Sequence, residues 1–255
     1  MKKRYQSHKI KMKNDRFEEV GDLLGILGKT PNIEERIRFL MDYFEGTRFK
    51  FQISHPASKP HHLEVDLNNF DCLSLVTTIC ALSYANTVED FLGAICELRY
   101  HGSEMINNDP TLGNVIHFGD EVFLRNSFAS TILKDITSEI SDTKTFRAEL
   151  KAHHRPRFLD PCESLIRPAV PGSLSSSFIL AKDLFHSLNR LQTGDIVIFY
   201  KQGNLKNHPL SLVSHLGFVD RRPQIGTTTG LYHCTRHYNW IPKATKQSTK
   251  HTGVF

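Results

Sequence analysis

The residues best suited to chemistry are one cysteine and two histidines, widely separated along the chain. Cys72 lies in Asn68-Asn69-Phe70-Asp71-Cys72-Leu73-Ser74-Leu75-Val76, where an apolar helix is expected to begin. Asn69 or Asp71 suits the N-cap of that helix. A helix N-terminus gathers unpaired N–H groups and positive potential, which favour thiolate over thiol and can receive a developing oxyanion. A cysteine nucleophile also needs a base, and a third group to orient the base. His215 in Val213-Ser214-His215-Leu216-Gly217-Phe218-Val219 and His233 in Leu231-Tyr232-His233-Cys234-Thr235 can supply both. If these runs form a hairpin centred on Gln224, the two histidines stand opposite one another on one face. Gly217 beside them would leave room for the helix end. The expected trio is Cys72 as nucleophile, His215 as base and His233 as orienting group.

By residue type alone, one cysteine and two histidines can also bind zinc. The nucleophile reading is the one taken, with no metal and no cofactor. Cys80 and Cys96 fall in apolar helical stretches and read as core residues. Cys162 and Cys234 have no assignable partner. Five cysteines without a C-x-x-C pair form neither a disulfide framework nor a structural zinc pattern. His61–His62 and His153–His154 lack the i, i+4 spacing of a helical metal site and read as loop residues.

The elements that must position the trio follow from periodicity. Apolar residues recur with helical spacing over Phe17 to Leu27 and over Ile33 to Phe44, with Gly46 after the second. Residues 47–68 read as an extended loop. A third helix from about Cys72 to Tyr84 is apolar almost all round and should be buried. Thr87 and Asp90 open a fourth that runs to about Tyr100. A helical piece is expected near Ser127–Glu139 and another over Phe178 to Leu191. Strands follow at Ile196 to Tyr200, Leu212 to Asp220 and Leu231 to Thr235, with a last one starting at Gly253-Val254-Phe255. Helices first and strands later argue for an α+β fold.

Composition sets the frame. The chain has 255 residues, 39% hydrophobic and 23% charged, which excludes a disordered polypeptide. A mean hydropathy of −0.34 and the lack of a long apolar run argue against a membrane span. The net charge of +5 is concentrated in residues 1–16, read as a flexible basic tail ahead of a single domain over 17–255. No pattern supports nucleic-acid binding. No apolar stretch follows the basic start, so an extracytoplasmic location would require a removed leader or another export route. The alternative is a cytoplasmic protein.

Three segments together resemble a known family. Phe70-Asp71-Cys72-Leu73-Ser74-Leu75-Val76, then Ser214-His215-Leu216-Gly217-Phe218-Val219, then Leu231-Tyr232-His233 are similar to the signatures of the NlpC-type papain-like cysteine peptidases. They resemble in particular the N-acetylmuramoyl-L-alanine amidase-like branch. Gly46-Thr47-Arg48-Phe49, Val65-Asp66-Leu67 and Leu191-Gln192-Thr193-Gly194-Asp195-Ile196-Val197 extend the likeness over about 20–255. The family usually has Pro-Tyr where Arg48-Phe49 stands and an acidic residue at the position of Thr77. Segment 101–170 matches loosely. The resemblance implies a papain-like fold, with the cysteine helix packed on an antiparallel sheet. It also implies hydrolysis of an amide bond in peptidoglycan peptides through an acyl-enzyme, with Asp71, Ser214 and Phe49 near the substrate. A monomer acting on muropeptides is expected. Two rival functions use the same residues: an effector hydrolase or acyltransferase acting on a host or competitor molecule, and a non-catalytic cell-wall binding module.

Overall fold

The computed structural model describes residues 10–11, 14–50, 63–99, 132–150, 172–200, 213–221 and 229–234. Four helices form one side. Helix α1 (Asn14–Leu27) buries Val20, Leu23, Leu24 and Leu27. In α2 (Ile33–Tyr43) the Asn32 side chain caps the start, accepting from the Glu34 N–H at 2.8 Å, and Ile37, Leu40 and Met41 turn inward. Helix α3 (Cys72–Tyr84) is buried from Leu73 through Ser83, as its all-round apolar surface requires. It packs between α2 and α4 (Val88–Arg99), where Phe91, Leu92, Ile95 and Leu98 complete the core. Thr87 and Asp90 exchange backbone bonds at the start of α4 in the expected box, the Asp90 N–H donating to Thr87 Oγ1 at 3.1 Å and the Thr87 N–H to Asp90 Oδ2 at 3.1 Å.

Short strands lead into α3. Residues 47–68 are more than a loop, because β2 (Arg48–Phe49) runs parallel to β4 (Asn69–Phe70). Ahead of them β1 (Ile10–Lys11) pairs in parallel with β3 (Leu63–Glu64). The stretch read as a flexible tail over 1–16 therefore contributes a strand, and α1 already starts at Asn14. Backbone pairing between distant segments is not visible in local charge.

The other side is sheet. Strand β7 (Ile196–Tyr200) pairs antiparallel with β8 (Val213–Asp220), which pairs in turn with β9 (Gly230–Tyr232). Leu216 and Phe218 enter the helical core, whereas Val219 joins a smaller cluster with Ile140 and Leu191. Helix α3 lies against β8. A turn feeds β7: the Asp195 N–H donates to the Gln192 carbonyl at 3.1 Å, with Gly194 at φ +98°. A Cβ on Gly194 would stand 3.0 Å from Ile37 Cδ1, so glycine serves both the backbone angle and the close approach to α2.

The middle of the chain departs from expectation. Of the helix anticipated near Ser127–Glu139, the described part holds only α5 (Thr137–Ile140). Strands β5 (Lys144–Leu150) and β6 (Gly172–Phe178) form an antiparallel pair. The helix expected over Phe178–Leu191 thus begins as a strand end, since Phe178 pairs with Lys144. It continues as α6 (Ala181–Leu184) and a 3₁₀ turn, Phe185–Arg190. Long-range pairing overrides local helical spacing here. The anticipated strand at Gly253–Phe255 and the histidines at 61–62 and 153–154 lie outside the described residues, as does Cys162.

Candidate active site

Cys72 is the first residue of α3, and Asp71 caps it. The Asp71 side chain accepts from the Ser74 N–H at 2.7 Å, while the Asp71 N–H donates to Ser74 Oγ at 2.8 Å, a reciprocal capping box. Asp66 braces the approach by accepting from the Asn68 N–H at 2.8 Å and from Asn69 Nδ2 at 2.9 Å. The nucleophile candidate is therefore fixed from both sides in sequence. Thr77 is buried one turn further on, its hydroxyl donating to the Leu73 carbonyl at 2.8 Å. The hydroxyl is thus satisfied inside its own helix.

The histidines meet. His215 Nε2 and His233 Nδ1 are 2.7 Å apart, with the rings edge to face. The register differs by two residues from the expected hairpin. Phe218, Val219 and Asp220 pair with Tyr232, Leu231 and Gly230, so His233, one residue past the end of the ladder, lies beside Gly217 and diagonal to His215. The displacement along the second strand is two residues, so both rings keep one face. Gly217 has a different task from the one expected. A Cβ there would approach the Tyr232 carbonyl oxygen to 2.7 Å and His233 Cβ to 2.9 Å. The missing side chain makes room for His233 and its strand, not for the helix end.

Two further features aim His215. On β7, Phe199 pairs with His215 and Tyr200 pairs with Val213, leaving Ser214 as an extra residue in β8. Such a bulge increases local twist and re-aims the neighbouring side chain. Phe199, 39% exposed, lies stacked beside the His215 ring at a centroid distance of 6.4 Å. Phe49, half-buried on β2, pairs with Phe70 ahead of the cysteine. Sequence reasoning missed Phe199, although counting alternation along Ile196-Val197-Ile198-Phe199-Tyr200 puts it on the face opposite the core-directed Ile196 and Ile198.

Electrostatics correct one expectation. Burial, reinforced by the Asp71 charge, pushes the Cys72 thiol up to about 11. Backbone hydrogen bonds from Leu216, Leu73 and Cys72 itself pull the other way and lose. The helix terminus alone does not make a thiolate at rest. Leu216, whose backbone acts on the sulfur, is the residue next to His215. Burial, followed by the neighbouring His233, lowers His215 to about 4. At neutral pH the site holds a thiol and neutral imidazole. Cys80 is buried as expected and pushed up to about 12. Among the described residues no group of three or more histidine, cysteine or acidic side chains is arranged to hold a metal ion.

The fold and site define a class: a mixed α+β protein in which a capped, buried helix presents a cysteine to a sheet bearing a histidine pair. The chain belongs to the AmiA-like family, described as N-acetylmuramoyl-L-alanine amidase-like, whose model matches residues 40–238. No curated protein sequence matches it. A Legionella pneumophila protein of solved structure is similar in fold, with a TM-score of 0.66 at 17% identity over 87% of this chain and 84% of that one. An N-acetylmuramoyl-L-alanine amidase from Bacteroides uniformis gives 0.59 at 14% identity, over 80% and 85%. A Bacteroides fragilis protein described as a xylanase gives 0.52 at 16% identity, over 77% and 85%. Neighbours named for different reactions share the fold, so the site must carry the argument for chemistry. No helix among the described residues is long and apolar enough to cross a membrane.

Proposed function

We propose that the protein is a papain-like, NlpC-type cysteine amidase that hydrolyses an amide bond in the peptide part of bacterial peptidoglycan. The observation that carries this reading is the 2.7 Å contact between His215 Nε2 and His233 Nδ1. In such a contact one imidazole donates an N–H and the other accepts it. If His215 donates from Nε2, its Nδ1 is the bare nitrogen, ready to act as base. His233, as acceptor, fixes that tautomer. The Cys72 proton passes to His215 Nδ1 as the sulfur bonds to the substrate carbonyl carbon, and the Cys72 backbone N–H stabilises the oxyanion. The C–N bond then breaks, and the imidazolium protonates the leaving amine. Water, deprotonated by the same nitrogen, hydrolyses the thioester and regenerates the thiol. Because thiol and imidazole both rest neutral, proton transfer accompanies attack. Asp71, Ser214 and Phe49 flank the substrate, Asp71 through the carboxylate oxygen that does not cap the helix. Family membership supports the peptidoglycan substrate. On this reading the protein works in the cell envelope, reached after removal of a leader or by another export route.

The test is digestion of purified peptidoglycan, with mass spectrometry of the soluble muropeptides. Cys72→Ala and His215→Ala should each lower kcat/KM by several orders of magnitude, because nucleophile and base act as a unit. His233→Asn should keep more activity than His233→Ala, since an amide oxygen can accept the same hydrogen bond, and both should exceed His215→Ala. Equal activity of His233→Ala and wild type would show that the orienting group is elsewhere.

A further inference from the structure

Cys234 is the buried thiol that this mechanism leaves unused. It follows His233 directly and lies in the helical core. Its Sγ donates to the Phe70 carbonyl oxygen at 3.2 Å. The same oxygen accepts the Lys50 N–H at 2.9 Å. Phe70 is two residues before Cys72, so one carbonyl joins the end of β2, the lead-in to α3 and the chain leaving β9.

We infer that Cys234 is a positioning residue, whose thiol fastens the segment carrying His233 to the segment carrying Cys72 and so sets the histidine pair against the nucleophile. The inference rests on the Cys72–His215–His233 reading of the site. Its geometry is simple. The β8–β9 ladder ends at Phe218 and Tyr232, one residue short of His233. Neighbouring residues of an extended chain point to opposite faces. Holding Cys234 inward in the core therefore holds His233 outward toward His215, on the face of Gly217. An S–H···O bond is weak, so its removal should alter placement more than stability. Small displacements of positioned groups are enough to slow a reaction strongly.

The experiment compares Cys234→Ala, Cys234→Ser and the control Cys80→Ala, which removes a core thiol from α3 without touching this junction. Each is measured for Tm, for the shared imidazole N–H of His215 and His233 by ¹⁵N-histidine NMR, and for kcat and KM on a cleaved muropeptide. Cys234→Ala should broaden or lose that proton signal and lower kcat on the order of tenfold to a hundredfold, with KM within about twofold. Serine, which restores a donor, should recover the signal and most of kcat. Cys80→Ala should lower Tm yet leave the signal and kcat unchanged. If Cys234→Ala does not fold, Cys234→Val fills the space without a donor and takes its place. A wild-type signal and kcat in the donor-less variant would overturn the inference, as would the same losses in Cys80→Ala or a failure of serine to rescue. If wild-type protein cleaves no muropeptide, the catalytic reading fails separately. The NMR signal then decides the positioning claim alone: its loss in alanine and return in serine support it, and its persistence in alanine refutes it.

Discussion

The helices and the sheet hold their halves of the site by different means. Cys72 is set at the end of a helix buried from Leu73 to Ser83, behind a capping box and an Asp66-braced turn. His233 follows a three-residue strand, and its place depends on a glycine-sized gap and the anchoring of one neighbour. The helical side is redundant, whereas the sheet side is assembled from single contacts. Damage to the first should unfold the protein before it spoils chemistry. Damage to the second should spoil chemistry in a protein that still folds.

The largest expected effect tests the helical side. Arg36 on α2 is buried, and its guanidinium donates to the Thr30 carbonyl at 2.6 Å, the Ser83 carbonyl at 3.1 Å and the Ala85 carbonyl at 3.3 Å. It ties the end of α1 to the C-terminus of α3, where a cation also complements the helix dipole. Arg36→Ala leaves several buried acceptors unpaired and should cost about 3–5 kcal/mol. In a thermal melt this lowers Tm by about 10 °C. The kcat of the folded fraction should stay at the wild-type value, because the clamp is at the end of α3 remote from Cys72. A large fall in kcat at a temperature where the variant is fully folded would remove the contrast between the two sides.

The next effect tests the sheet. Gly217→Ala drives a Cβ into the Tyr232 carbonyl and His233, and backbone must move to admit it. Overpacking of this kind costs about 1–3 kcal/mol. Displacement of His233 should lower kcat on the order of a hundredfold. Thermal melts and steady-state kinetics on the same preparation separate the two. A variant that melts lower than Arg36→Ala yet keeps full activity would reverse the assignment of roles.

The same contrast explains what could be read from the chain. Helix α3 was legible, from about Cys72 to Tyr84, because an apolar run that starts behind a capping Asp71 is a local signal. The face shared by His215 and His233 was legible from alternation. Their register was not, because it depends on the connection between the strands and on the fit of Gly217 against Tyr232. The Ser214 bulge, the Phe199 stack and the Cys234 bond to Phe70 all arise from contacts between segments distant in sequence. The strand Ile10–Lys11 was hidden for the same reason. Thiol ionisation was misread because a helix terminus is a local cue, whereas desolvation is set by the whole fold.

The smallest effects lie at the ends of the pH scale, and the two sides should reach them in opposite directions. His215 is lowered from 6.5 to about 4, so the folded state binds its proton less readily than the unfolded state does. Between those values the unfolded chain takes up more protons, and stability must fall as pH drops. The base itself remains neutral down to about pH 4, so the acid limb of kcat/KM should lie well below the ordinary histidine value. The buried thiols behave in reverse. Cys80 is raised from 9.0 to about 12, so its contribution is fully present below pH 9 and is lost as pH rises toward 12. Cys80→Ala should therefore flatten the alkaline fall in Tm and leave the acid limb of kcat/KM unchanged. His233→Asn removes the second imidazole charge that helps hold His215 down, and should move the acid limb upward without flattening the alkaline fall. An acid limb near pH 6.5 in wild-type protein would mean that His215 is more solvated than its place between Phe199 and His233 allows.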